Sequence, residues 1–324
     1  MKASLMMRAV LATALLAASA SHLSAQDWPN RPIRMTVGFG AGGGTDVVTR
    51  IVAEPLGEVL GQRLIVENKP GAGGAIAGEV VARGPKDGYD ALMISAGHTV
   101  SAVMVKSVAY DAVKDFTPVG IVANSAFVIV VNKSSPANTL QELIAIAKKD
   151  PGKLNYGTVN LGSTQHLTAE LFRQRAGISA QNVTFRTTPE VITALLRNDI
   201  AYAVDLAHAV RGQVEAGELK VLAVATAKRW PTLPNVPTVI ESGLPGFEVL
   251  GWYGMVFPAG VSPDIVAKTQ KALAQVLARE SVQKQLNGAG ALAGLSTPEE
   301  FGKLISDEVV RWRAVAKEAG LQAQ

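Results

Sequence analysis

The chain has 324 residues, 48% of them apolar, 5% aromatic and none cysteine, with 31 Lys and Arg against 27 Asp and Glu. Without cysteine there is no disulfide framework, no thiol nucleophile, no Cys-based zinc site and no attachment point for a lipid anchor. A net charge of +4 is scattered along the chain, and with so few aromatics it makes no nucleic-acid surface.

Residues 1–25 carry Lys2 and Arg8, an apolar run Ala9–Ala20, and then small residues. That is the layout of a secretory signal cleaved after Ala25, and the run is too short to span roughly 30 Å of hydrocarbon. Removing it leaves a charge of 29 − 27 = +2. In the remainder, "IRMTVGF" (33–39) reads as a buried strand and Thr45–Leu60 as an amphipathic helix. "RLIVEN" (63–68) is a second strand, 74–84 a short helix, and "DALMIS" (90–95) a third strand; this β-α-β-α-β run predicts a parallel sheet. The stretch 117–132 is too long for one ordinary strand.

A capping box at Thr139 and Glu142 opens a helix that stops at Pro151-Gly152. Strand 154–160, helix 163–177, strand "NVTFR", helix 188–198 and strand "IAYAVDL" follow, then a second long extended segment at 219–229. A proline-rich irregular stretch (230–249) precedes the helix 263–280 and a last helix capped at Thr297 and Glu300. The two long segments predict an α/β chain of two lobes joined by two crossing strands: 26–122, 123–225, and a return to the first lobe over 226–324. A single large open sheet is the alternative.

Two loops carry the chemistry. "GFGAGGGTDVVTR" (38–50) places five glycines in seven residues between a strand and a helix. Gly38, Gly40 and Gly43 match a dinucleotide-binding G-x-G-x-x-G, and Glu67 stands near the position of a ribose-binding acid. NAD is not normally available to an exported protein, however, and no Gly-Lys-Ser/Thr ending makes a phosphate loop. Backbone N–H groups and a helix N-terminus then face a small anion, with Phe39, Gly40, Ala41, Gly42, Gly43, Gly44, Thr45 and Asp46 as candidates, and a purely structural tight turn is the alternative. Asp46 reads equally as a structural cap.

"NLGSTQHLTAELF" (160–172) repeats the pattern: Gly162 loosens a turn, and Ser163 and Thr164 stand at a helix start with His166 one turn in. One such loop per lobe is what a cleft needs to grip an acid from both sides. Ala96, Gly97 and His98 follow the third strand at the same edge. His98, His166 and His208 are isolated, with no metal spacing, no G-x-S-x-G elbow and no paired carboxylates, so catalysis and metal binding are not expected.

Five collinear stretches resemble, in order, the periplasmic receptors of tripartite tricarboxylate transporters, the Bug family. They are "WPNRPIRMTVGFGAGGGTDVVTRIVAEPL", "VENKPGAGGAIAGEVVARGPKDGY", "YDAVKDFTPVGIV", "LNYGTVNLGSTQHLTAELF" and "LPNVPTVIESGLPGFEVLGWYGMVFPAG". The resemblance implies a type II periplasmic-binding-protein (Venus flytrap) fold that closes on a small mono- or dicarboxylate. It also implies a monomeric periplasmic receptor, without cofactor or lipid anchor, serving the permease subunits of such a transporter. The first glycine loop and "LGSTQH" would hold the carboxylate from opposite lobes.

Where the family commonly has a Tyr-Lys-Gly turn this chain reads "FRTTPE" (185–190), so Arg186, Thr187 and Thr188 occupy a specificity position differently. Arg186 is a candidate partner for a second carboxylate, or a solvated surface residue. Asp205 is placed by the resemblance at a strand end facing the cleft, to bind a donor or cap a helix. A sensor feeding a signalling partner and an exported enzyme using the same cleft are the competing readings.

Overall fold

The computed structural model describes residues 28–159 and 162–323. The signal segment expected at 1–25 lies outside the described residues. The chain begins with β-α units: β1 (Ile33–Val37) leads into α1 (Gly44–Leu60), β2 (Leu64–Asn68) into α2 (Ala75–Ala82), and β3 (Asp90–Ser95) into α3 (Gly97–Met104). The three strands are parallel in the order β2-β1-β3. Helix α1 buries Val48, Val52 and Leu56, four residues apart on one stripe, in one core with Ile33, Met35 and Val37 of β1. Gly61 ends that helix in the left-handed conformation, at φ 79°.

Strand β4 (Phe116–Asn132) is long because it serves two sheets. Its first part, Phe116–Ala126, pairs antiparallel with β9 (Leu250–Pro258), which lies between β3 and β4. From Phe127 onward it pairs with β7 (Tyr202–Leu206) and β8 (Leu219–Val224). Between these come α4 (Leu140–Lys149), β5 (Leu154–Val159), α5 (Thr164–Ala176), β6 (Ala180–Phe185), α6 (Thr188–Leu196) and α7 (Ala207–Glu215). Strand β5 runs parallel to both β6 and β7. The fold is therefore α/β and two-lobed, with separate cores on the faces of each sheet.

The extended segment expected at 219–229 is a strand only as far as Val224. Residues 225–249 form neither helix nor strand, yet Trp230 packs with Val191, and Val239 and Phe247 pack with Phe172 and Tyr202. The proline-rich stretch thus covers the second sheet before the chain re-enters the first at Leu250. The C-terminal part supplies α8 (Pro263–Leu277), α9 (Glu280–Gly288), β10 (Leu292–Ala293) and α10 (Pro298–Glu318), the last with its Thr297/Glu300 capping box in place.

Helix α10 touches both lobes. Phe301 and Ile305 pack with Trp252, while Trp312 and Val315 join the core around Phe172. Midway, buried Glu308 accepts hydrogen bonds from Trp252 Nε1 (3.1 Å) and Thr99 Oγ1 (3.0 Å). No helix among the described residues is long and apolar enough to cross a membrane.

Candidate ligand-binding cleft

A cleft of about 700 Å³ opens between the two sheets. Strands β1, β3, β5 and β7 all end there, and each hands over to a helix whose first residues line the space. This is the carboxyl edge at which open α/β sheets hold ligands. Gly43, Gly44 and Thr45 come from the N-cap and start of α1, Ala96 and Gly97 from those of α3, Ser163 and Thr164 from those of α5, and Leu206 and His208 from those of α7. Phe127 of β4 and Gly251, Trp252 and Tyr253 of β9 line it between the lobes, and Ser95, Ser101, Ser107 and Gln165 add polar groups to the lining.

The glycine loop is fastened from behind. Asp46 is 2% exposed; its Oδ2 accepts the Gly42 N–H at 2.8 Å, and its Oδ1 accepts Asn68 Nδ2 at 2.8 Å. Asn68 also donates to the Phe39 carbonyl (2.9 Å), and Arg50 pairs with the Asp46 carboxylate at 3.0 Å. Burial works to raise the Asp46 pKa, but the hydrogen bonds from Arg50, Gly42 and Asn68 outweigh it and hold the group at about 2. Asp46 is thus an anchor for the loop. Gly42 needs its missing side chain, at φ 81°, whereas Gly43 is extended (φ −71°, ψ 161°). No side chain caps α1, so the N–H groups of its first turn and its partial positive charge face the cleft.

On the other side Ser163 caps α5, its Oγ accepting the His166 N–H at 3.1 Å while the residue lines the cleft. His166 lies behind: its Nδ1 accepts the Gly162 N–H at 3.0 Å. Burial lowers its pKa, only partly opposed by Glu170. It positions the turn and does not line the space.

His98 is further away. Its Nε2 meets the Ala112 carbonyl at 3.1 Å, its ring stacks on Tyr110, and burial pushes its pKa down to about 4. Gly40, Ala41 and Gly42 also lie outside the lining.

Arg186 and Thr187 are exposed, and the Arg186 N–H donates to Glu190 (3.0 Å). Thr188 reaches the cleft indirectly. Its hydroxyl donates to Asp205 Oδ2 at 2.9 Å, and Asp205 Oδ1 accepts the Leu206 N–H (2.8 Å) and Gln165 Nε2 (3.4 Å). Asp205 is 1% exposed and burial raises its pKa, against those hydrogen bonds. Gln165, not Asp205, presents its side chain to the cleft.

Sequence reasoning missed Tyr253 and His208. Tyr253 is 6% exposed and paired in the sheet through its backbone, but its hydroxyl makes no hydrogen bond within the protein, and its Oη is so placed that a Cβ on Gly44 would sit 2.7 Å away. Burial pushes its pKa up to about 12. His208 Nδ1 lies 3.4 Å from Ser125 Oγ, and burial lowers its pKa. The available signal for His208 was its place just after a strand end, as for Ser163. For Tyr253 there was only the "GWYG" sequence.

This geometry can be set beside known proteins. The tripartite tricarboxylate transporter family receptor pattern matches residues 48–321. The chain belongs to this receptor family. The receptor is 33% identical to BugT of Bordetella pertussis over 303 residues, 93% of each chain. Among solved structures it resembles Rpa4515 of R. palustris with adipate, at 34% identity and a TM-score of 0.79, covering 92% of this chain and 100% of that one. It also resembles MatC from Rhodopseudomonas palustris with bound malate, at 29% identity and a TM-score of 0.75, covering 89% and 99%. These relatives are binding proteins, and the receptor is a solute-binding protein of the same kind.

Proposed function

We propose that this receptor works in the periplasm, exported by residues 1–25. There it captures a small carboxylate between its lobes, without turning it over, and delivers it to the permease of a tripartite tricarboxylate transporter. The observation that carries this reading is the convergence of four helix N-termini, two from each lobe, on one cleft. Each brings a partial positive charge that a carboxylate neutralises, and α1, α3 and α7, which no N-cap side chain closes, also offer first-turn N–H groups.

The lobes are proposed to divide where strand pairing changes partner. The first crossing is at Ala126/Phe127 on β4 and the second at Val249/Leu250, downstream of the 219–229 stretch. Closure about these two points would bring Ser163 and Thr164 toward Gly44 and Thr45. A first-lobe contact already exists, since a Cβ on Gly162 would lie 3.1 Å from Met104.

The test is a melting-temperature screen against aliphatic and aromatic carboxylates, with NAD and nucleotides as controls. A ligand of the folded state at a hundredfold excess over its Kd stabilises by about 2.7 kcal/mol. A shift with an acid and none with NAD is expected; the reverse would refute the reading.

A further inference from the structure

We infer that His208 Nε2 faces the cleft as a bare acceptor. The receptor therefore selects carboxylates with a hydroxyl or ammonium group on the carbon beside the carboxylate, a refinement that rests on the carboxylate reading above. His208 is the second residue of α7 and lines the cleft, half-buried. It stands where the lobes meet: a Cβ on Gly290 would lie 2.0 Å from its Cβ, and its Nε2 lies 4.0 Å from the position of a Cβ on Gly44. That same position is 2.7 Å from Tyr253 Oη. Both polar atoms thus face the corner of the cleft that receives the charge, in front of α1.

Which ring nitrogen carries the proton is set behind the ring. Ser125 Oγ is 3.4 Å from His208 Nδ1 and 3.4 Å from the Gly290 carbonyl oxygen, and Ser125 is fully buried on β4. A hydroxyl has one proton to give, and a carbonyl can only accept. With the hydroxyl donating to Gly290 and Nδ1–H donating to Oγ, both contacts are hydrogen bonds. With the hydroxyl donating to Nδ1, the Gly290 contact is left as two facing acceptors. Burial favours the first arrangement, which puts the proton on Nδ1 and a lone pair on Nε2. Burial also disfavours the imidazolium, so the lone pair stays free. His166 has the opposite tautomer, because its Nδ1 accepts the Gly162 N–H.

A carboxylate oxygen has only lone pairs to offer, so a bare Nε2 gains nothing from it. With the carboxylate on the first-turn N–H groups of α1, the substituent beside it comes within reach of Nε2. A hydroxyl or ammonium there donates to the ring, whereas a methylene leaves Nε2 shut off from water and unpaired. Lining hydroxyls such as Ser95 and Ser107 turn to give or take a hydrogen bond, and Gln165 carries both kinds of group, so none of these makes the same demand.

Calorimetry of the purified receptor tests this with lactate and alanine against propionate, mandelate against phenylacetate, and 2-hydroxyglutarate against glutarate, using both enantiomers. In at least one set the substituted acid should bind about tenfold or more tighter than its unsubstituted match. Equal or reversed affinities in every set that binds overturn the selectivity and leave the carboxylate reading standing. Silence from all of these acids overturns both.

His208→Phe keeps a ring and removes the acceptor. It is expected to weaken the substituted acid by about tenfold and leave its match unchanged; a folded variant that keeps the wild-type ratio overturns the assignment. Nitrogen NMR of the ligand-free receptor with isotope-labelled histidine reads the tautomer directly, the His208 signals being those lost in His208→Phe or, failing that, in His208→Gln. Nδ1–H is expected at His208 and Nε2–H at His166. Nε2–H at His208 overturns the inference whatever the affinities.

Discussion

Gly44→Ala probes the charged corner with one methyl group. A Cβ there would stand 2.7 Å from Tyr253 Oη and 3.6 Å from Cζ, closer than real Cβ contacts come. Tyr253 belongs to the packed core of the first lobe, so its ring can yield only by a small shift. Overpacking of this kind costs about 1–3 kcal/mol. Gly44 is the first residue of α1, so alanine gains little of the helix-interior preference over glycine there, leaving a net stability loss of about 1–3 kcal/mol and a folded protein. The effect on binding is separate.

The methyl occupies the space in front of the α1 N-terminus, where a carboxylate oxygen would accept its hydrogen bonds. Losing one such bond to a charged group costs about 1.5–3 kcal/mol, or roughly ten- to a hundredfold in Kd. Calorimetry with the best-binding acid, beside a thermal melt, separates the two effects. The double variant Gly44→Ala/Tyr253→Phe removes the Oη contact and is expected to recover the melting temperature but not the affinity. A folded Gly44→Ala variant that binds as tightly as wild type would show that the carboxylate does not sit at α1.

Asp46→Asn removes the charge that gathers Gly42, Asn68 and Arg50, and urea titration is expected to show a loss of about 1–3 kcal/mol. Because the Asp46 pKa is depressed from 3.8 to about 2, its contribution of about 2 kcal/mol is present above pH 3.8 and is lost as pH falls toward 2. For His98 the folded value of about 4 lies below the unfolded 6.5. The unfolded chain therefore takes up the proton first, and about 3 kcal/mol of stability is lost as pH falls from 6.5 to 4. His98→Gln should flatten the stability profile across that window, and a profile as steep as wild type would reject the assignment. Solution scattering is expected to report a smaller radius of gyration with saturating ligand; identical profiles would argue against hinge closure.

Much of this arrangement is legible in the sequence where local chemistry is unusual. Five glycines between a strand and a helix are unusual enough to mark a cleft edge, whereas Ser163, which caps α5, is marked by recurring at the matching strand end, β5, of the other lobe. The parallel β1–β3 unit is legible for a related reason, since its apolar runs and helices alternate cleanly. Helices α3 and α7 were not, because eight or nine residues give too little periodicity to stand apart from the strand before them. Tyr253 reaches Gly44 only because β9 inserts beside β3, a pairing that nothing in the flanking residues encodes. Arg186 shows the opposite limit: a cation at a specificity position in sequence points into solvent once the turn is folded, and its neighbour Thr188 acts through Asp205.

The insertion of β9 also sets an order of assembly. Leu92 of β3 waits for Val256, and Ile121 of β4 waits for Gly254. The middle of the first sheet is therefore missing until nearly the whole chain is available, whereas β4–β8 can pair among themselves as they emerge. The lobe that begins the chain is then the last to be completed, by contacts of high sequence separation that form slowly.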